Sequence, residues 1–320
     1  MPFKDGSAGL KFSVKNNTSE KQELQWKVSL TQEFPMAKGT FDLGAPKSFS
    51  PAFSGPMEGR MVVEAKSGKE STLLAPNFNP LNIYSAKIEV SDSASKTVSK
   101  ERAIGGFAGV PKAPAPVKFD GKLGDPAWQS AQVLNLNEER QYFVLAKEAK
   151  WKGPEDLSGK LRFLWDDQYL YLGLEVTDDV FCNPAEDGEI WRGDGVQLIV
   201  DPCRESAEKP GRYDYAFALG KKGPQAWCYF SASPTSPLGE AKDVLLKVTP
   251  SGVKGGMVYE IAIPWTRLAP FKPAVGRNFG LGVIINEDDG PGRGSFIGWF
   301  GCAHSKQLGM NGDLILEGPR

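Results

Sequence analysis

The sequence lacks the features that mark several classes of protein. Its 320 residues contain no apolar run close to the about eighteen residues that a membrane-spanning helix needs. Its 38 lysines and arginines nearly balance its 39 aspartates and glutamates, so no strong field attracts nucleic acid or an anionic membrane. We therefore expect neither a nucleic-acid partner nor a membrane span.

Histidine and cysteine are also scarce. With one histidine, His304, no convincing Ser-His-Asp arrangement can be built, and zinc motifs and phosphate-binding Gly-rich loops are missing as well. The irregular spacing of the four cysteines excludes a C-x-x-C metal or redox motif. These cysteines are Cys182, Cys203, Cys228 and Cys302. Two disulfides in an exported protein and four buried free thiols both stay open.

The first residues do not resemble a signal peptide, because no apolar core follows Met1–Gly6. Such a start is compatible with a cytoplasmic protein and also with the processed part of an exported one. The residues alone do not separate these two origins.

The composition changes once along the chain. Seven of the eight tryptophans lie after residue 120, and Trp26 lies before it. Between the two regions, residues 105–116 combine glycines with alternating prolines, which favour extended chain and cannot donate a full ladder of hydrogen bonds. We predict a domain at 1–108, a linker at 109–116 and a second domain at 117–320.

Apolar and polar residues alternate in both predicted domains, which is typical of strands with one buried face. In the first domain this pattern covers residues 10–15, 24–30, 61–65 and 85–90. Its order of strand, Asn-rich turn and Trp-bearing strand resembles immunoglobulin-like modules, so we expect a spacer or docking domain of that type.

The second domain has stronger strand signals. Residues 160–165 and 169–176 flank a polar turn and predict a hairpin. Further strands are expected at 195–201, 213–219, 227–231, 258–263, 279–285 and 312–317. Helical signals are limited to short turns near 125–129 and 264–268. The predicted fold class is therefore all-β, with two β-sandwich domains.

Six motifs in the second domain follow one another in a specific order. They include Asp120-Gly121 with Trp128, Trp165-Asp166 with Tyr169-Leu170-Tyr171, Trp191 with Asp194, Glu260 with Trp265, Asn286-Glu287-Asp288, and Gly312-Asp313. This order resembles the family 9 carbohydrate-binding modules over residues 117–318. The resemblance implies an antiparallel sandwich that holds the end of a sugar chain between aromatic faces and catalyses no reaction, with structural calcium in some members.

The resemblance also implies a ligand site. Trp191 matches the family's first stacking tryptophan, and flat aromatic faces suit the C–H faces of a pyranose. The candidate ligand-binding residues are Trp191, Arg192, Gln197, Trp299, His304 and Lys306. The chain departs from the family where Gln197 replaces a glutamate, where Ala218 and Ile284 replace polar residues, and where residues 301–306 lack a second tryptophan.

Aspartates at strand ends suggest a cation site. Asp178, Asp179 and Asp201 are the candidate ligands, since Ca²⁺ prefers hard oxygen donors. Turn formation explains aspartates at such places equally well. Asp194 is expected to be a buried hydrogen-bond acceptor at the start of its strand rather than a catalytic group. If the second domain is a carbohydrate-binding module, a structural Ca²⁺ is therefore the one cofactor that we expect.

The sequence favours a non-catalytic carbohydrate-binding protein or accessory module, extracellular or periplasmic, with a poly- or oligosaccharide as partner. One alternative is a structural or adhesion module with a closed pocket. Another is a haem-binding relative of the same sandwich, in which His304, Lys306 or Met310 ligates iron.

Overall fold

The computed structural model describes residues 8–33, 57–75, 83–104, 106–202, 211–234, 236–300, 302–306 and 311–319. Over these residues the chain is mostly β and divides into two compact units, and it passes from one to the other between Phe107 and Ala108, at the start of the strand that opens the C-terminal unit. In this part of the chain, no helix has the length and apolar character to cross a membrane.

The N-terminal unit is built from two small antiparallel sheets. Its described strands are β1 (Ala8–Lys15), β2 (Gln22–Glu33), β3 (Met57–Val63), β4 (Gly68–Ala75), β5 (Ile83–Ser91) and β6 (Thr97–Ile104). β1 pairs with β4, and the other sheet has the order β3-β2-β5-β6. Apolar residues of β1, β2 and β3 share one core, where Phe12 meets Trp26 edge to face at 5.2 Å. The four strands predicted from alternation are confirmed.

The C-terminal unit contains two larger sheets. The small sheet has the order β16-β17-β11-β10-β8, and the large sheet β15-β14-β13-β12-β18-β19-β9, with β20 pairing β18 and β7 pairing β20. The strands are β7 (Phe107–Val110), β8 (Leu134–Leu136), β9 (Tyr142–Val144), β10 (Leu157–Trp165), β11 (Tyr169–Asp178), β12 (Gly195–Asp201), β13 (Tyr213–Gly220), β14 (Gly223–Ser231), β15 (Gly239–Glu240), β16 (Leu245–Pro250), β17 (Met257–Pro264), β18 (Asn278–Glu287), β19 (Ser295–Trp299) and β20 (Gly312–Leu316).

Short helical elements join these strands. The 3₁₀ turns are Pro126–Ser130, Glu139–Gln141, Asp187–Arg192 and Trp265–Leu268, and the single-turn helix α1 is Cys302–Ser305. Two of these turns confirm the helical signals expected near 125–129 and 264–268.

The two sheets pack face to face, and side chains alternate between this inner face and an outer face. Phe163 of the small sheet lies 5.9 Å from Trp299 of the large sheet, measured between ring centroids. Ile285 fills the space beside Gly159, since a Cβ placed on Gly159 would lie 2.4 Å from Cδ1 of Ile285. Because Val196 pairs with Ile285, Val196 also faces inward, and its neighbour Gln197 faces outward.

The outer face of the small sheet is covered by the segment that carries the first motif. Trp128 packs there with Leu164, Tyr171 and Ala262. The carboxylate of Glu260, which is fully buried, accepts hydrogen bonds from Gly121 N (2.5 Å) and Trp128 Nε1 (3.1 Å). Two motifs that lie far apart in the sequence therefore meet at one carboxylate.

Residues 109–116 were predicted to form a linker, but the structure pairs part of this segment with strands of the C-terminal unit. β7 reaches into it and pairs with β20. Beyond β7, Ala113 N donates to Trp165 O (2.7 Å) and Trp165 N donates to Pro111 O (3.2 Å). The edges of the sandwich therefore supply the hydrogen-bond partners that an extended Pro-rich chain would otherwise find in water.

The two cysteines whose side chains are described are free thiols. Cys228 is buried and Cys182 is partly exposed. These states contradict a disulfide at either position, and Cys182 also differs from the expected buried thiol. Cys203 lies outside the described residues.

Candidate functional site

The candidate site lies on the outer face of the large sheet, between two covering elements. On one side, the 3₁₀ turn Asp187–Arg192 lays Ile190 and Trp191 against Ala216 of β13. On the other side, α1 lays Ala303 against Ile284 of β18. Because both elements rest on the same face of the sheet, residues from both surround the strands that lie between them.

Gln197 occupies the middle of this face. On β12 it pairs with Ala216 on one neighbouring strand and Ile284 on the other. Its side chain is 6 % exposed, so a polar amide is held between two small or aliphatic neighbours. An amide offers both donors and an acceptor, which suits a sugar hydroxyl.

Trp191 is partly buried at the edge of the face. Its backbone carbonyl accepts a hydrogen bond from Asn286 Nδ2 (3.2 Å). The guanidinium carbons of Arg192 and Arg293 lie 5.2 and 5.9 Å from its ring centroid. Arg192 also pairs with Glu189, and both of these side chains are largely exposed. The predicted stacking residue is thus held in place by its backbone and flanked by cations.

His304 and Arg293 form a second group on this face. The His304 ring lies 5.0 Å from the Phe296 ring, and its Nδ1 is 3.4 Å from a terminal nitrogen of Arg293. Burial, together with the positive Arg293 and Lys306, lowers the pKa of His304 to about 4, so the imidazole is neutral near pH 7. Burial also lowers the pKa of Arg293, to about 10.

Lys306 follows α1 and reaches across the face to β13. Its Nζ lies 2.8 Å from a carboxylate oxygen of Asp214, which is buried. The positive charge of Lys306 is therefore balanced within the site. Met310, the other residue considered for iron, lies outside the described residues, and the His304 Nδ1 is already turned toward a guanidinium.

Trp299 does not belong to this face. It pairs with Val283 on the inner face, is 1 % exposed, and packs against Phe163 and Phe300. Alternation along β19 turns Phe296 outward and Trp299 inward. The structure therefore corrects the prediction that Trp299 contacts a ligand.

Three residues of the face were missed by the sequence prediction: Arg293, Trp227 and Tyr229. Trp227 and Tyr229 are partly buried and pack against the same cluster as Trp191. Tyr229 donates its hydroxyl to Gly188 O (3.0 Å), which ties β14 to the turn that carries Trp191. Their spacing of two residues on a predicted strand was an available signal that they share a face.

A cluster of carboxylates lies at one end of the two sheets. Oxygens of Asp178, Asp179 and Asp289 lie within 4.8 Å of one another. Burial raises the pKa of Asp178, and nearby Glu287 and Asp289 raise it further. Asp179 Oδ1 is buried without a hydrogen-bond partner, while Oδ2 lies 3.7 Å from Lys152 Nζ. Hard oxygen donors with this excess of negative charge fit Ca²⁺.

Asp201, the third predicted metal ligand, is not part of the cluster. It ends β12 and pairs with Gly280, whereas Gly195 at the other end pairs with Asn286 near the cluster. Six residue steps of about 3.3 Å separate Asp201 from that end by about 20 Å. Asp289 therefore takes the place that the sequence prediction gave to Asp201.

Asp194 has the structural role expected of it. It is 3 % exposed and precedes β12. Its two carboxylate oxygens accept hydrogen bonds from the backbone N–H groups of Cys182 and Asp288. These bonds hold the loops on either side of the strand start, which confirms the prediction.

The C-terminal unit is similar in sequence to known proteins. Residues 119–315 match the model of the carbohydrate family 9 binding domain-like family. Endo-1,4-beta-xylanase A of Thermotoga maritima is 26 % identical over 172 residues, which are 52 % of this chain and 14 % of the xylanase. The chain thus spans about one seventh of the length of that curated relative.

Solved structures of a carbohydrate-binding module family 9 from Caldicellulosiruptor kristjanssonii are also similar. The complex with glucose is 17 % identical, has a TM-score of 0.49, and covers 67 % of this chain and 97 % of that chain. The complex with cellotriose is 18 % identical with the same TM-score, covering 67 % of this chain and 95 % of that one. Since the family model spans well over half of its residues, the chain belongs to the carbohydrate family 9 binding domain-like family.

Proposed function

We propose that the outer face of the large sheet binds a carbohydrate, with Trp191 as the main stacking surface. The observation that carries the proposal is the position of Trp191, partly buried beside the polar Gln197 on a face of the family 9 sandwich. An aromatic ring next to a few polar groups is the usual design of a sugar site. Trp227 and Tyr229 extend the aromatic surface, and the inward-facing Trp299 is left out.

The protein in this proposal is a binding module that catalyses no reaction itself. The curated relatives that it matches are xylanases, of which it spans a small part, so an accessory role in handling glycans is the interpretation that we favour. We also propose an extracellular or periplasmic location, where a module that assists a polysaccharide-degrading enzyme would meet its substrate. The two packed antiparallel sheets around Trp26 support an immunoglobulin-like spacer as the N-terminal unit.

A glycan array followed by calorimetric titration tests the proposal. We expect binding to at least one poly- or oligosaccharide and loss of at least tenfold in affinity in Trp191→Ala. The matched control is Trp151→Ala, which removes another partly buried tryptophan, stacked on Tyr142 at 6.0 Å in the edge strand β9. Absence of binding to every glycan at millimolar concentration would refute the proposal and favour a structural module with a closed pocket.

We also propose that Asp178, Asp179 and Asp289 bind a structural Ca²⁺. Their mutual distances support this, as does the unpartnered Asp179 Oδ1. Asp178 ends β11 in the small sheet and Asp289 follows β18 in the large sheet. A bound cation would therefore tie the ends of the two sheets together.

A further inference from the structure

Arg293 is a cation beside Trp191 for which the described residues supply no counter-ion. Its guanidinium carbon lies 5.9 Å from the Trp191 ring and 5.4 Å from the Phe296 ring. Its Nε is buried without a hydrogen-bond partner, and its polar contact to a side chain is the long one to His304. No carboxylate of the described residues pairs with it.

The other charges next to Trp191 and His304 are balanced. Arg192 pairs with Glu189, and Lys306 pairs with Asp214. His304 is flanked by Arg293 and Lys306 and supplies no negative charge. Among the described residues around Trp191, the positive charge left without a carboxylate partner is therefore that of Arg293. Removing a guanidinium from water without an anionic partner is costly, so this arrangement destabilises the free protein.

The guanidinium is also placed where a ligand would meet it. The backbone N–H of Arg293 donates to Arg192 O (3.0 Å), which fixes Arg293 next to the turn that carries Trp191. A pyranose stacked at Trp191 would bring its ring substituents within reach of the guanidinium. The planar fork of arginine matches a carboxylate with two parallel hydrogen bonds.

We propose that Arg293 binds the carboxylate of a uronic acid, so that the outer face recognises an acidic rather than a neutral glycan. This inference rests on the proposed carbohydrate-binding function and adds the class of sugar to it. The free energy lost when the unpaired guanidinium is buried is recovered when the carboxylate arrives, which makes the face selective for charge.

Matched pairs of oligosaccharides test this inference by calorimetric titration of the full chain. One pair is an oligogalacturonide with free and with methyl-esterified carboxyls. The other is a xylo-oligosaccharide with and without a glucuronic acid substituent. We expect the acidic member of at least one pair to bind at least tenfold more tightly, in line with hydrogen bonds to charged groups.

Variants then assign the preference to Arg293. Arg293→Gln should lower the affinity for the acidic member to that for its neutral partner, and Arg293→Lys, which keeps the charge without the fork, should lose most of the preference. The control is Arg277→Gln, which removes an exposed arginine stacked over Phe271 at 5.2 Å. That variant should keep the preference intact.

The outcomes separate the two proposals. Equal affinity of the wild-type protein for both members of each pair overturns the role of Arg293, as does an Arg293→Gln variant that keeps the preference and the wild-type melting temperature. If neutral glycans bind in a manner that depends on Trp191, the proposed function stands and the inference about acidic sugars fails. If no glycan of any kind binds, both are refuted.

Discussion

Glu260 offers a direct test of how the family motifs hold the sandwich together. Its side chain is fully buried on β17, and its two oxygens accept hydrogen bonds from Gly121 N and Trp128 Nε1. Gly121 has a φ of 82°, and its carbonyl accepts a hydrogen bond from Thr249 Oγ1 (2.6 Å). Replacing Glu260 should therefore loosen the segment that covers the small sheet.

The magnitude follows from the number of donors left without an acceptor. In Glu260→Gln one oxygen becomes an NH₂ group that faces an N–H donor, so one buried donor is unsatisfied at a cost of about 1–3 kcal/mol. In Glu260→Ala both donors lose their acceptor and a cavity opens beside Trp128, so we expect a loss of about 3–5 kcal/mol. The alanine variant should be clearly less stable than the glutamine variant.

Urea denaturation at pH 7, followed by tryptophan fluorescence and far-UV circular dichroism, measures both losses. Glu175→Gln on the neighbouring strand β11 is the control, because that glutamate is partly exposed and pairs with Arg162. It should change the free energy of unfolding by less than about 1 kcal/mol. If the free energy of unfolding of Glu260→Ala lies within about 0.5 kcal/mol of the wild-type value, which is the range typical of surface substitutions, the reasoning is refuted.

Two further predictions concern pH and calcium. Because the folded pKa of His304, about 4, lies below the unfolded value of about 6.5, its contribution to stability is present above pH 6.5 and is lost as the pH falls toward 4. Discounted for partial exposure, the loss in the free energy of unfolding is about 1–2 kcal/mol. Urea titrations at several pH values should show this loss in the wild-type protein and not in His304→Gln, and identical pH profiles for the two proteins would contradict the prediction. In differential scanning calorimetry, saturating Ca²⁺ should raise the melting temperature by about 5 °C or more, reversibly with chelator. Asp289→Asn should abolish this rise and Asp201→Asn keep it, and the reverse result would exclude the proposed ligands.

Much of the fold of the C-terminal unit could be predicted because its strands are long and their turns are well marked. The hairpin of β10 and β11 is an example, since Asp166 in its turn accepts hydrogen bonds from Gln168 N and Tyr169 N, both at 2.7 Å. By contrast, Leu134–Leu136 and Tyr142–Val144 are three-residue strands. Three residues are too few for a period of two to be recognised, so β8 and β9 were missed.

The orientation of side chains on the large sheet was harder to predict. Strand β12 is buried at all seven positions, since one face meets the small sheet and the other is covered by turns. In such a strand both faces are apolar, and alternation no longer tells inside from outside. Trp299 was assigned to the ligand because it precedes the loop in which the family's second stacking tryptophan is expected, although its pairing with Val283 places it in the core.

The residues that give the site its charge were beyond sequence reasoning. Arg293 meets Trp191 because its backbone bonds to Arg192, about a hundred positions earlier in the chain. Asp289 joins Asp178 because strands from two different sheets end at the same edge of the sandwich. Neither of these contacts can be recognised from a local sequence pattern, since both depend on how the sheets pack.

These observations divide the family's motif residues according to what they do. Trp128, Glu260 and Asp194 are buried and satisfy one another or nearby backbone groups, so they belong to the scaffold and are uninformative about the ligand. Gln197 and Arg293 lie on the outer face, where the chain departs from the family pattern or adds an unpaired charge. Membership of the family therefore accounts for the scaffold, while the proposed choice of glycan depends on the residues of the outer face.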